Sequence, residues 1–240
     1  MSKPVCTVHH LGAVEFLRAW DLQRAVADQV RAGSRPNTLL LLEHPPVYTI
    51  GRTGSREQVL LDCDGPGGPA IPVHEVDRGG QVTYHGPGQL VAYPILDLRR
   101  WGGPLKYVRT LEQAIIATLG DFGVQGVLVE GLTGVWAAGG PGPDQPRSKI
   151  ASIGVKISRG VCYHGLALNI TIDLGPYEHI VPCGIVDCGT TSMQDLLGAA
   201  DPELVAYSLT YHLGREMGFS MRAAEGGAEA VLGPTPTAVS

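Results

Sequence analysis

The sequence contains no long apolar run and no excess of basic residues, and these absences exclude whole classes of protein. No stretch approaches the roughly 20 apolar residues that a membrane-spanning helix needs. The 18 lysines and arginines are outnumbered by 23 aspartates and glutamates, and the net charge of −5 argues against sequence-independent nucleic-acid binding. The polar pair His9-His10 follows the N-terminus too closely for a signal-peptide core. We therefore expect a cytoplasmic protein that binds neither nucleic acid nor membrane.

Cysteine is scarce and irregularly spaced, and the familiar nucleotide and metal motifs are missing. The 5 cysteines are an odd number, which favours reduced thiols over a disulfide framework. No GxxxxGK[ST] pattern is present, so the sequence offers no P-loop route to nucleotide chemistry. Cys183 and Cys188 could join His164 and His179 in a zinc cluster, but neither half has the tight spacing of a strong zinc motif. The zinc cluster stays open as an alternative.

The chain does contain the signals of one mixed α/β domain of the α+β class. Helical spacing predicts helices over 13–31 and 105–122, and capping signals predict two more after Ser192 and Asp201. Without an alternating βαβ rhythm, we expect a mostly antiparallel or mixed sheet with flanking helices over residues 1–222. Residues 223–240 are predicted to be a disordered tail, and the Gly/Pro-rich stretch 137–148 a mobile loop. Strands are predicted over 38–42, 47–50, 73–84, 89–97, 124–129, 134–137, 149–157 and 161–171.

One cysteine stands between a proline and a glycine, where a thiol can project towards a substrate. Cys183 occupies this position in a segment without helical period. A free thiol has a pKa of about 8.5, so a nucleophilic cysteine needs a neighbouring cation or base. Lys149 is the candidate, because it begins a predicted strand after the Gly/Pro-rich loop, and Lys156 is the competing partner. Two alternatives stay open: Cys183 as an inert core residue, and Lys149 as a solvated lysine.

Two further segments could bind an oxygen-bearing or acyl ligand. Four glycines between Arg78 and Gln89 expose backbone N–H groups, Arg78 could hold a phosphate or carboxylate, and His85 could bond a carbonyl or move a proton. The alternative for this block is a glycine-kinked hairpin with a tight turn. Gly165 and Ala167 are small residues that could leave a slot for an acyl chain on the sheet, or could mark a strand crossed closely by another element.

Five blocks, in order, resemble the octanoyltransferase family of lipoate biosynthesis, also called lipoyl(octanoyl) transferase. Together they cover most of residues 38 to 195. The blocks are EHPPVYTIGR from Glu43, RGGQVTYHGPGQL from Arg78, KIASIG from Lys149, HGLALN from His164 and IVPCG from Ile180.

The resemblance implies a fold similar to that of biotin and lipoate protein ligases, and a covalent mechanism. Cys183 would take an octanoyl group from octanoyl-acyl carrier protein and pass it to a lysine of a lipoyl domain, with Lys149 lowering the thiol pKa and moving protons. The acceptors would be E2 subunits of 2-oxoacid dehydrogenases and the glycine cleavage H protein. A thioester is already activated, so neither ATP nor a metal cofactor is expected, and the enzyme is expected to be a monomer. The implied acyl site comprises Arg78, Gly79, Gly80, Gln81, Val82, Thr83, Tyr84, His85, Ser152, Ile153, Gly154, Gly165, Leu166 and Ala167.

Two other functions stay open from the residues alone. An ATP-dependent lipoate or biotin ligase on the same fold would form an adenylate and would have little need for a thiol. A non-catalytic cargo protein would hold a fatty acid in the glycine-rich segments, and Cys183 would be incidental.

Overall fold

A computed structural model of the chain describes residues 3–60, 71–99, 101–138, 147–181, 189–225 and 231. These ranges contain eleven strands and four α-helices. The strands are β1 (Val5–Ala13), β2 (Asn37–Glu43), β3 (Val47–Ile50), β4 (Val73–Glu75), β5 (Val82–His85), β6 (Gln89–Ile95), β7 (Gly126–Val127), β8 (Val135–Ala138), β9 (Arg147–Ser158), β10 (Val161–Asn169) and β11 (Ser220–Ala223). The helices are α1 (Phe16–Ala32), α2 (Pro104–Asp121), α3 (Met193–Leu197) and α4 (Pro202–Met217).

The strands form two sheets, and this arrangement confirms the predicted mixed α/β fold. The larger sheet has eight strands in the order β11-β1-β2-β6-β10-β9-β8-β7. Strand β1 runs parallel to both β2 and β11, and the other neighbours are antiparallel. The smaller sheet has the order β4-β3-β5. The result is a single domain on a mixed, mostly antiparallel sheet.

Helices cover both faces of the larger sheet because each buries an apolar stripe. Helix α1 packs its buried face against side chains of β2, β6 and β10, and α2 and α4 pack against the opposite face. Gly33 ends α1 with φ of +74°, and its N–H donates to the carbonyls of Gln29 and Val30. A left-handed glycine is a common helix stop, so the predicted end of this helix is confirmed.

Several predictions about element ends were wrong. The strand predicted over 73–84 is two strands, β4 and β5, and the strand predicted over 124–129 is only the short β7. The first helix was predicted to begin at Ala13, but Ala13 ends β1 and pairs with Glu43, so α1 begins at Phe16. Strand β1 itself was not predicted. The loop predicted over 137–148 is strand at both ends, because Ala137 and Ala138 pair with Ser148 and Arg147 across β8 and β9. Residues 139–146 between them lie outside the described part.

The turn after β5 moves the chain from one sheet to the other. Strand β5 pairs with β3 in the smaller sheet, whereas β6 pairs with β2 and β10 in the larger one. The hairpin alternative for this block is therefore wrong. Gly88 in the turn has φ of +83°, and a side chain there would start 2.6 Å from Thr171 Oγ1. Its carbonyl accepts from the N–H of Ile170 at 3.1 Å and of Thr171 at 2.9 Å. The glycine thus fixes the junction between the sheets.

The C-terminal strand reaches the predicted start of the tail. Strand β11 pairs with β1 through Ala223, and the N–H of Ala224 donates to the Val8 carbonyl at 2.8 Å. Most of the predicted tail, residues 226–230 and 232–240, lies outside the described residues, so its disorder stays a prediction. Among the helices of the described ranges, none combines the length and apolarity needed to cross a membrane.

Candidate functional site

A cavity of about 220 Å³ lies where the two sheets meet, and most of the predicted site residues line it. They come from the β4–β5 connection, β5, β9 and β10, which are far apart in sequence. The predicted residues on the cavity wall are Arg78, Gly80, Gln81, Val82, Thr83, His85, Lys149, Ser152, Ile153, Gly154, Gly165, Leu166 and Ala167. Predicted nucleophile Cys183 lies outside the described residues.

The structure does not bring Gly79 and Tyr84 to this cavity. Side chains alternate along a strand, so Tyr84 points away from the side taken by Thr83 and His85. Its ring packs in the core of the smaller sheet, with centroids 5.5 Å from Tyr48 and 5.6 Å from Tyr177. Gly79 is engaged with β9, where its N–H donates to the Val155 carbonyl at 3.0 Å.

Several wall residues were not among the predicted site residues. Phe16 is the first residue of α1, and Tyr93 lies within the buried strand β6, so both have the sequence signals of ordinary core residues. His164 was noted only as a possible zinc ligand. The β3–β4 connection adds Thr53, and the turn before β8 adds Gly131, Leu132 and Thr133. No local pattern marks these residues, because only the packing of distant segments brings them to the cavity.

Lys149 is half-buried at the cavity rim. It lies near the start of β9 and pairs with Trp136 of β8. Its Nζ lies 4.9 Å from the centroid of the Trp136 ring. An ammonium over an indole face is attracted by the electron-rich ring, so this contact helps to position the side chain. The competing Lys156 does not line the cavity; it pairs with Tyr163 farther along β9 and β10.

The described residues on either side of 182–188 contact the surroundings of the cavity. Before this segment, the Val181 N–H donates to the Gln58 carbonyl at 2.9 Å. The Gln58 side chain in turn donates from Nε2 to Gln81 Oε1 at 2.9 Å, on the cavity wall. After the segment, the Gly189 carbonyl accepts from the N–H of Lys149 at 2.8 Å. Gly189 is therefore bonded directly to the wall residue Lys149, and Val181 is linked to the wall residue Gln81 through Gln58.

Arg78 lines the cavity and is also a buried support of the glycine loop, and its predicted role as a cation for a phosphate or carboxylate stays a prediction. The side chain is 8% exposed. Its Nη2 donates to the Thr49 carbonyl at 2.7 Å and to Thr49 Oγ1 at 2.8 Å, and Nη1 donates to the Gly79 carbonyl at 3.0 Å. The loop fits tightly around this side chain, because a Cβ on Gly51 would lie 2.7 Å from Arg78 Nη1 and 2.3 Å from the Gly80 oxygen. The guanidinium thus shapes the cavity wall.

The proton of His85 can be assigned from its neighbours. Gln89 Nε2 donates to Asn169 Oδ1 at 2.9 Å and to the Tyr84 carbonyl at 3.3 Å, so Gln89 Oε1 faces the imidazole. His85 Nδ1 therefore carries the proton and donates to Gln89 Oε1 at 2.6 Å. Burial, with His44 nearby, lowers the pKa of His85 well below its ordinary value, so the ring is neutral. Nε2 is then an acceptor in this state, and the predicted role of His85 in bonding a carbonyl or moving a proton stays a prediction.

A second neutral imidazole holds the Tyr93 ring in place. His44 is 1% exposed. Its Nδ1 donates to the Val14 carbonyl at 2.6 Å, which leaves Nε2 to accept from the Tyr93 hydroxyl at 2.7 Å. Burial lowers the pKa of His44 from 6.5 to about 4. The two hydrogen bonds and the neutral ring support each other, because a protonated Nε2 could not accept from the phenol.

Asp77 joins the glycine loop to β10. It accepts from His164 Nε2 at 2.9 Å and from the Tyr163 hydroxyl. Burial alone would raise the pKa of Asp77, but the hydrogen bonds from His164 and Tyr163 lower it below its ordinary range. Burial lowers the pKa of His164, so a neutral imidazole donates to a carboxylate. His164 has φ of +55°, an uncommon conformation for a non-glycine residue that its surroundings must hold.

Small residues of β9 and β10 face each other across the cavity floor. Ser152 pairs with Ala167, and Gly154 pairs with Gly165, so the four lie on one side of the sheet. A Cβ on Gly165 would lie 2.2 Å from the Ala92 carbonyl oxygen, and one on Gly154 would lie 2.8 Å from the Gly79 oxygen. A side chain at either glycine would therefore clash with a neighbouring backbone, which agrees with the alternative that the strand is crossed closely by another element. They border the cavity as well.

The described ranges contain no group of three or more His, Cys, Asp and Glu side chains placed to hold a metal ion. Two members of the zinc alternative, Cys183 and Cys188, lie outside those ranges. A third, His164, is bonded to Asp77.

Comparisons with known proteins agree with this architecture. The family model of the lipoyl protein ligase A/B catalytic domain matches residues 15–213. An octanoyltransferase of Acidobacterium capsulatum is 46% identical over 222 residues, covering 89% of each chain. One of Thermobifida fusca is 50% identical over 188 residues, covering 77% of each chain. A bi-partite lipoate protein ligase of Thermoplasma acidophilum, solved in a study of an archaeal lipoylation system, has a similar fold, with a TM-score of 0.69 at 17% identity over 97% of this chain and 91% of that one.

Proposed function

The chain belongs to the octanoyltransferase family, within the lipoyl protein ligase A/B catalytic domains, and we propose that it transfers octanoyl groups from acyl carrier protein to lipoyl domains through Cys183. Membership makes it a transferase of protein lipoylation. The donor, the covalent intermediate and the role of Lys149 go further and form the proposal. The observation that carries it is the cavity of about 220 Å³, which has Lys149 at its rim and buried rings at its inner end.

The proposed reaction has two acyl transfers. In the first, the Cys183 thiolate attacks the carbonyl carbon of the octanoyl thioester, the new C–S bond forms, and the carrier thiolate leaves. In the second, a neutral lysine amine of the lipoyl domain attacks the acyl-enzyme, the amide forms, and the Cys183 thiolate leaves. Lys149 accepts the proton of the Cys183 thiol and returns it to the departing carrier thiolate. In the second step it accepts the proton of the attacking amine. Both acyl transfers start from an activated thioester, so no ATP is consumed.

The position of Lys149 supports this role. An ammonium within about 4–6 Å of a thiol can lower its pKa by one to three units, which converts a minor thiolate population into a major one near neutral pH. The Lys149 Nζ lies 4.9 Å from the Trp136 ring centroid, and this contact helps to hold the side chain in place. The Gly189 carbonyl, on the C-terminal side of the segment that contains Cys183, is hydrogen-bonded to the Lys149 backbone. The acceptors proposed are E2 lipoyl domains and the glycine cleavage H protein, and the enzyme is proposed to act as a cytoplasmic monomer.

The test is intact-mass analysis after incubation with octanoyl-acyl carrier protein. The wild type should gain one octanoyl group, and the Cys183→Ala variant should gain none. The matched control is Cys188→Ala, which removes the next cysteine and should keep the adduct. Transfer to a lipoyl domain that needs ATP and survives in Cys183→Ser would instead establish the ligase alternative. Binding of octanoate without turnover would establish the cargo alternative.

A further inference from the structure

The cavity has an open end and a closed end, which can be told apart by exposure. Thr53, Gly80, Gly131 and Thr133 on its wall are exposed, so they form the rim. At the other end, four ring side chains are buried. They are Phe16, 3% exposed, Tyr93, 4%, His85, 6%, and His164, 1%. An acyl chain whose carbonyl stays near Lys149 at the rim would extend towards these rings.

Three of the four rings are fixed by hydrogen bonds that a substitution would break. Tyr93 donates to His44 at 2.7 Å, His85 donates to Gln89 at 2.6 Å, and His164 donates to Asp77 at 2.9 Å. Shortening any of these side chains would leave a buried polar partner without its bond.

Phe16 is different because only packing holds it. Its ring centroid lies 5.1 Å from that of His44, 6.0 Å from that of His74 and 6.1 Å from that of His85. The backbone of Phe16 is secured as the first residue of α1, independently of the ring. Phe16 is therefore the inner-wall residue whose size can change without leaving a polar group unpaired.

The four rings bound the cavity at its inner end. A chain that already reaches them could be lengthened only by displacing a ring.

We propose that the Phe16 ring is the stop that sets the length of the acyl chain. This inference rests on the proposed function and adds a specificity determinant to it. The Phe16 ring is part of the wall at the inner end. It contacts His44 and His85, which are held by hydrogen bonds, so a displaced Phe16 ring would press against fixed neighbours. The interior is close-packed, so moving the Phe16 ring to make room for one or two extra methylenes costs free energy.

The experiment measures kcat/KM for hexanoyl, octanoyl, decanoyl and dodecanoyl thioesters of acyl carrier protein in the wild type and in Phe16 variants. One methylene changes discrimination by about 10- to 200-fold when a site is well packed. In Phe16→Ala the decanoyl-to-octanoyl ratio should rise at least about tenfold, and in Phe16→Leu by a smaller factor in the same direction. In Phe16→Trp the ratio of hexanoyl to octanoyl should rise instead.

Phe219→Ala is the matched control, because Phe219 is also buried, 7% exposed, but does not line this cavity. It should leave both ratios unchanged even if it lowers stability. Ratios measured within one protein are insensitive to the folded fraction, and Phe16→Leu and Phe16→Trp decide the matter if Phe16→Ala does not fold. Unchanged ratios in these variants, with octanoyl transfer retained, would overturn the inference and leave the proposed function standing. A wild type that transfers no octanoyl group would overturn the proposed function itself.

Discussion

His44 should make the stability of the protein depend on pH in a predictable direction. The imidazole is buried, and burial lowers its pKa from 6.5 to about 4 in the folded state. Between these two values the unfolded chain binds a proton at this site that the folded chain does not bind. Stability therefore rises with pH in this window. The contribution is fully present above pH 6.5 and is lost as the pH falls towards about 4.

The size of the effect follows from the shift. Each pKa unit corresponds to about 1.4 kcal/mol, so a shift from 6.5 to about 4 amounts to about 3 kcal/mol over the whole window. At pH 5, where the unfolded site is nearly all protonated and the folded site nearly all neutral, about 2 kcal/mol of this is already lost relative to pH 7.5. A loss of this size is a substantial part of the stability of an ordinary domain.

The assay compares the wild type with His44→Gln by urea unfolding at pH 7.5 and pH 5, followed by tryptophan fluorescence. Glutamine keeps one donor for Val14 and one acceptor for Tyr93 but does not titrate, so the variant should lose about 2 kcal/mol less than the wild type between the two pH values. His85 and His164 are buried in both proteins, so most of their contribution cancels in this difference. His10→Gln, at an exposed position of β1, is the control and should follow the wild type. Equal losses in the wild type and His44→Gln would refute the assignment of His44 as a buried neutral base.

Two further substitutions test the rim and the floor of the cavity. Lys149→Ala should raise the pH at which Cys183 reacts with iodoacetamide by about one to three units. Lys156→Ala is the control and should leave this pH unchanged. An unchanged profile in Lys149→Ala would exclude this lysine as the partner of the thiol. Gly165→Ala should destabilise the protein by about 1–3 kcal/mol in thermal unfolding, because the added methyl would meet the Ala92 carbonyl oxygen at 2.2 Å. Gly120→Ala, on an open face of α2, should instead stabilise it by about 0.5–1 kcal/mol, and equal effects at the two glycines would contradict the close approach at Gly165.

Elements with strong local signals were predictable from the sequence. The second long helix, the buried strand β2 and the caps at Ser192 and Asp201 all occur in the structure, because their apolar spacing or capping chemistry acts within a few residues. The turn at Arg159 and Gly160 is another such case. Both residues have positive φ, of 48° and 82°, and they join β9 to β10 in a hairpin, as a short link between two predicted strands favours.

Elements that depend on distant partners were not predictable in the same way. Strand β1 contains the His9-His10 pair and has no run of strand formers like that of β2, and it is stabilised by parallel pairing with β2 and with β11 near the other end of the chain. The turn from His85 to Gly88 has hairpin chemistry, yet its two strands pair in different sheets. Local sequence fixes the turn but not the partners of the strands that follow it.

The residues of the candidate site also include some that the sequence predicted and some that it did not. Glycine blocks and Lys149 were recognisable as motifs, and the structure brings most of them to one cavity. Phe16 and Tyr93 were not, because a buried aromatic residue on a helix or strand has the same sequence signal whether it packs in a core or against a cavity. The fold also gives motif residues contacts that their sequence does not reveal. Arg78 is predicted as an anion ligand, and its buried guanidinium also holds a loop.

Buried imidazoles explain how a cavity with polar walls can take an alkyl chain. His85 and His164 line its inner end, and His44 is hydrogen-bonded to the wall residue Tyr93. Each imidazole donates an N–H to a protein acceptor: His44 to the Val14 carbonyl, His85 to Gln89, and His164 to Asp77. Burial lowers the pKa of each, so none needs a counter-ion or water to compensate a charge. Because their donors are already paired, filling the cavity with methylenes leaves no donor of these rings unsatisfied, and the cost that usually attends apolar contact with polar groups is avoided. A leucine-lined cavity would accept the same chain but would have no hydrogen bonds to hold its wall rigid. The paired rings combine apolar contact with fixed position, which is what a site needs if it is to distinguish chains by length.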